Sequence, residues 1–192
     1  MNKVVVASLL MVASLAPQAS KSAFAQTDTA AAGAQAGQVQ MSAAEYAAYN
    51  SAIGQTTPQT KAPALEAYLT AYPQSAVKAD VLTQLMLAYS TFDPAKTIAT
   101  ADRLLQIDPN NVRALTFEVY FRKLSADSLA DPAAKQAALD AAAQFAQKGL
   151  AATKPQAMSD ADFKAVMAGA TPIFYSAIGT AALNKKDTAT AI

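Results

Sequence analysis

Cysteine, histidine and tryptophan are all missing from this chain of 192 residues. Without cysteine there is no disulfide, no thiolate nucleophile, no iron–sulfur ligand and no attachment of lipid through sulfur. Without histidine the chain lacks the commonest metal ligand and the base of a Ser-His-Asp triad, so most enzyme mechanisms lose a part they need. Glycine is scarce at 6 residues, and only 7% of the chain is aromatic and 15% charged, yet 53% is hydrophobic. Alanine accounts for the difference: it supplies 49 residues, so much of the apolar fraction is small, helix-forming surface. An all-helical protein is expected, with room for one domain or one short repeat array.

The N-terminus reads as a segment apart from the fold. Lys3 precedes the apolar run Val4 to Ala16, followed by Pro17 and a polar stretch ending in Ala23-Phe24-Ala25. That is the grammar of a secretory signal peptide over residues 1–25, cleaved after Ala25. As a helix the run would span only about 20 Å of a hydrocarbon core roughly 30 Å thick, so no stable membrane anchor is expected. The absence of a cysteine after the site excludes a bacterial lipoprotein. Cleavage removes Lys3 and Lys21 and leaves 13 basic against 14 acidic side chains. A near-neutral chain of this kind calls for neither nucleic acid nor an anionic membrane surface as partner. Residues 26–40, QTDTAAAGAQAGQVQ, offer almost nothing to bury and read as a flexible linker. The expected location is periplasmic or secreted.

From Met41 onward, helix-length segments alternate with Pro, Asn and Asp signals, and strand patterns are missing. Ser42 with Glu45 has capping-box spacing and opens a helix to about Gly54. Thr60 to Tyr72 places Leu65, Tyr68, Leu69 and Tyr72 on one face before Pro73. Helices follow over 76–91, from Pro94 to Ile107, from Val112 to about Ala126, and over the alanine-rich stretch Ala133 to Ala152, the second and fourth of these opened by Asp-Pro. Ser159 with Asp162 opens another, and Thr171-Pro172 is expected to kink or restart it before Ile173 to Lys185.

Pro73 and Pro109 close successive helix pairs 36 residues apart, near the 34-residue period of a stacked helix–turn–helix array. Tyr175-x2-Ile178-Gly179-x2-Ala182-x8-Ala191-Ile192 resembles the first part of a tetratricopeptide repeat. Leu82-x2-Leu85-Met86-x2-Tyr89, with Thr97 at the small position and the Asp108-Pro109-Asn110-Asn111 closure, resembles a second copy. The resemblance covers about 150 residues, in pairs near 42–73, 76–109 and 111–152 and an incomplete pair at 172–192. It departs from the family pattern at Met86, where glycine is usual, and at Arg122, near an expected tyrosine. What it implies is a right-handed α-solenoid of antiparallel helix pairs, without catalysis or cofactor, that binds an extended peptide or protein on a concave groove. Such a module would serve in a cell-envelope complex. The rival readings are an accessory subunit using its convex surface and a binder of periplasmic small molecules or glycans.

Carried onto the first helix of the third pair, the family's groove positions fall on Arg113, Thr116, Tyr120 and Lys123, at steps of three, four and three. Two cations flanking a tyrosine could hold a carboxylate while the ring supplies contact area. The plainer reading of that face is a solvated one. The matching positions in the second pair are Asp80, Thr83, Leu87, Ser90 and Thr91, a less distinctive set. Ser75-x2-Lys78 has the spacing of a serine–lysine nucleophile, but the companion S-D-N and K-T-G motifs are missing, and Ser75 reads better as a helix cap. Asp160 and Asp162 suit a helix start better than a metal pair. The repeat pattern breaks off at Ile192, so a longer chain or another subunit is expected to supply a covering helix. Phe174, Ile178 and Leu183 would otherwise lie bare.

Overall fold

The computed structural model describes residues 41–156 and 158–186. The signal segment, the linker and the partial repeat after Lys186 lie outside the described residues. Within them the chain forms seven helices and no strand: α1 (Ala43–Ile53), α2 (Pro58–Ala71), α3 (Lys78–Tyr89), α4 (Pro94–Leu105), α5 (Val112–Asp127), α6 (Pro132–Leu150) and α7 (Asp160–Asn184).

Local chemistry explains the starts. Ser42, Thr57, Asp93, Asn111, Asp131 and Ser159 each accept a backbone N–H from the residue three positions on, satisfying one of the orphan donors of a helix N-terminus. Proline occupies the first position of α2, α4 and α6, where its missing N–H costs nothing. Helix α3 is the exception: Val77 stands at its N-cap with no side-chain bond. Ser75 therefore does not cap α3 as expected; its hydroxyl accepts from Val77 N–H at 3.2 Å and meets the Tyr68 hydroxyl at 2.8 Å.

The helix does not restart at Pro172: α7 runs through it as one helix of 25 residues. Proline deprives the Ala168 carbonyl of its helical donor, but Ala168 is exposed and water can serve it. Ala170 and Phe174, both buried, hold the helix in the core on either side of the proline. By length and composition α7 could cross a membrane; here its buried side packs on α5 and α6.

Each helix packs on the next in the chain, and α7 also reaches back to α5. The core falls into two main clusters. The first, around α1 to α4, contains Leu65, Tyr68, Leu69, Val81, Leu82, Leu85, Met86, Tyr89 and Leu104. The second, among α5 to α7, gathers Val112, Leu115, Val119 and Phe174 with Ala142, Ala146, Ala170 and Ala177. A smaller one joins Ala126, Leu139 and Ala181. The exposed stripe expected at Phe174, Ile178 and Leu183 is thereby corrected: Phe174 is fully buried and Ile178 partly so, while Leu183 is exposed. Alanine-rich α6 is the covering element, and Gly149 is what admits it. A Cβ at that position would collide with the Phe174 ring.

Polar ties reinforce these joints. Arg103 of α4 donates to both carboxylate oxygens of Glu66 on α2, at 3.0 and 3.1 Å. At the far end of α7, Lys185 pairs with Asp140 of α6 at 2.6 Å, and the Asn184 amide donates to Gln136 at 2.6 Å.

Candidate functional site

The four groove residues share α5, and the fold separates them into two groups. Tyr120 and Lys123 line a cleft of about 360 Å³ between α5 and α7, together with Leu124, Asp127, Pro172, Ile173 and Ser176. Arg113 and Thr116 lie nearer the start of α5 and do not line it. Arg113 is exposed, and the Thr116 hydroxyl donates to its own helix at the Val112 carbonyl, at 2.7 Å.

The cleft has an apolar wall and a polar rim. Tyr120 is 53% exposed, and its ring stands edge-on to Phe121, centroids 5.1 Å apart. Phe121 is itself buried and stacked on Phe117 at 5.9 Å, so a core aromatic fixes the orientation of an exposed one. Leu124, one turn on, is 49% exposed. From the other side, Pro172 and Ile173 close the slot.

Lys123 spans the rim. Its ammonium donates to Ser176 Oγ of α7 at 2.8 Å, and among the described residues it has no carboxylate partner. Asp127, one turn away on the same helix and well placed to neutralise it, instead pairs with Lys135 of α6 at 3.7 Å. Neighbouring Arg122 turns instead toward Glu118 and Asp102. The rim cation is thus left with donor capacity beyond the serine. An ammonium beside an apolar slot can hold an anionic group next to a bulky apolar one.

Sequence reasoning missed Leu124, Asp127, Pro172, Ile173 and Ser176. Leu124 stood four residues after Tyr120 and was available to it; the α7 residues were not, because nothing in the spacing says which helix lies across from α5. In the second pair, Leu87 lies with Gln84, Ala88 and residues of the α1–α2 connection around a smaller cleft of about 230 Å³. Asp160 binds Lys154 at 2.9 Å, and Asp162 completes the Ser159 cap. No cluster of metal-ligating side chains occurs among the described residues. No protein-family model, curated protein or solved structure matches this chain.

Proposed function

We propose that the chain is an exported scaffold of the tetratricopeptide kind, an α-solenoid that binds a protein or extended peptide along the face made by α1, α3, α5 and α7, in the assembly or maintenance of a cell-envelope complex. Support for the repeat arrangement comes from helices that pack on their sequence neighbours and, between the third and fourth pairs, from the return of α7 to α5, the contact expected between first helices of adjacent pairs; α1–α3 and α3–α5 make no comparable joint. The observation that carries the binding reading is the α5–α7 slot, where Tyr120, Leu124 and Ile173 sit beside an ammonium whose nearest same-helix carboxylate is committed elsewhere. The ligand that suits it is a peptide presenting a carboxylate next to a large apolar side chain.

The test is binding of a labelled peptide library, acidic and apolar residues varied, to the parent chain and to Lys123→Ala, Tyr120→Ala and Ile107→Ala. Affinity should fall on the order of tenfold for each of the first two, with helicity unchanged and with weakening by salt for the parent. Ile107, exposed in the connection between α4 and α5 and not lining the slot, serves as control. Equal affinity across all four proteins returns α5 to a solvated face. A second reading, an accessory subunit held by a lateral surface, draws on Tyr175 and Leu183, which leave α7 with apolar side chains 62% and 60% exposed. Loss of partner capture in Tyr175→Ala with none in Tyr120→Ala would favour it.

A further inference from the structure

Glu118 lies in the middle of α5 with its side chain entirely removed from solvent. Its Oε2 accepts from Arg122 Nε, one turn on, at 2.5 Å. Its Oε1 is equally buried and has no hydrogen-bond partner among the described residues. A second carboxylate belongs to the group: Asp102 of α4, whose Oδ2 lies 3.6 Å from the Arg122 guanidinium. One cation therefore serves two acids across the α4–α5 joint.

The surrounding elements offer little more charge. On α4, Arg103 is turned away to Glu66 of α2. On α6, Phe145 lays its ring against the Arg122 guanidinium at 4.9 Å, with the Lys148 ammonium 5.3 Å from the same ring. On α7, the core residues beside α5 are Ala170, Phe174 and Ala177, and on α5 itself Lys123 is occupied by Ser176. An ionised carboxylate can only accept, so a charged Glu118 leaves Oε1 buried with nothing to bind. A protonated one can donate, and Asp102, which shares the Arg122 guanidinium, offers a carboxylate across the joint.

We propose that Glu118 is a proton-operated clasp of the α4–α5 joint: protonated, it donates from Oε1 to Asp102 while Oε2 keeps the Arg122 bond, and its ionisation as pH rises loosens the joint. Burial pushes the Glu118 carboxyl up to about 7; Arg122 opposes the shift, and the neighbouring Asp102 charge adds to it. The sign follows from proton counts. Below 4.5, the ordinary value, both folded and unfolded chains hold the proton and nothing changes. Between there and about 7 only the folded chain holds it, so stability falls as pH rises, and it levels off above. With no histidine in the chain, no other side chain ordinarily titrates in that window. This clasp is independent of whatever occupies the α5–α7 slot.

The experiment is thermal and urea unfolding of the full chain from pH 5 to pH 8, with Glu118→Gln and Asp102→Asn beside it. The parent's folding constant should fall on the order of fiftyfold across the range. Glu118→Gln supplies the same donor without ionising, so its profile should be flat and its melting temperature at pH 8 should exceed the parent's. Asp102→Asn leaves Arg122 to Glu118 alone, and the midpoint of the pH profile should move down. In the parent near pH 6, the infrared carbonyl band of a protonated carboxyl should be present and should vanish in Glu118→Gln. A parent equally stable at pH 5 and 8, a Glu118→Gln chain with the parent's slope, or an Asp102→Asn midpoint that stays put or rises would each overturn the proposal.

Discussion

The two halves of the helical domain solve the same packing problem with different materials. Around α1 to α4 the core is a mesh of mid-sized and large side chains, Leu65, Leu82, Leu85, Met86 and Leu104 with the rings of Tyr68 and Tyr89, none more than 5% exposed. Among α5 to α7 alanine supplies half of the second cluster, and the helices come close enough for one ring, Phe174, to lie over Gly149. The first half fills its joints with bulk; the second builds its joints largely from small residues around one fully buried ring. Close-packed interiors tolerate neither voids nor excess volume, so the halves should fail in opposite ways: the first by losing volume, the second by gaining it.

The largest effect should come where both descriptions meet. Phe174→Ala removes the one fully buried ring of the second cluster among the described residues and should cost about 3–5 kcal/mol in urea unfolding, with Leu85→Ala in the first half costing about 2–4 kcal/mol. If the halves form one cooperative unit, both variants shift a single transition. A surviving first-half transition in Phe174→Ala would make the comparison one between two separately unfolding regions.

Next in size is Gly149→Ala. Alanine ordinarily stabilises a helix interior by about 1 kcal/mol over glycine, but here the added methyl meets the Phe174 ring, so a net loss of about 1–2 kcal/mol is expected. Phe174→Leu in the same chain should return part of that loss, since the smaller side chain makes room. A stabilised Gly149→Ala would break the claim that the second half is limited by excess volume.

The smallest effect is expected at the Arg103–Glu66 pair, whose side chains remain 39% and 36% exposed. Glu66→Gln should cost no more than about 1 kcal/mol and less in high salt, because exposed ion pairs contribute little and are screened. A larger, salt-insensitive loss would show that the first half depends on this tie as well as on its bulk.

Much of the local architecture was readable from the chain alone. The capping residues Ser42 and Ser159 and the Asp-Pro starts at 93–94 and 131–132 lie at the helix beginnings where their chemistry calls for them. Leu65, Tyr68 and Leu69, placed on one face by their spacing, are buried together. A restart at Pro172 is one of two outcomes expected of a proline's local cost, and it does not occur because the burial of Ala170 and Phe174 holds the helix in the core on either side. The stripe on α5 was legible as a face, and only its later half, Tyr120 and Lys123, lies at the cleft.

The division has a physical reason. Caps, prolines and apolar periodicity act within one turn or one helix, over contacts that sequence spacing encodes directly, and these the amino-acid order determined by itself. Pairing across helices depends on which faces meet and how closely, and small residues permit many such meetings. Tertiary structure alone decided that Gly149 would receive Phe174, that Lys123 would reach Ser176 across 53 residues, and that Glu118, a charged residue by sequence, would lie wholly inside with one oxygen unanswered.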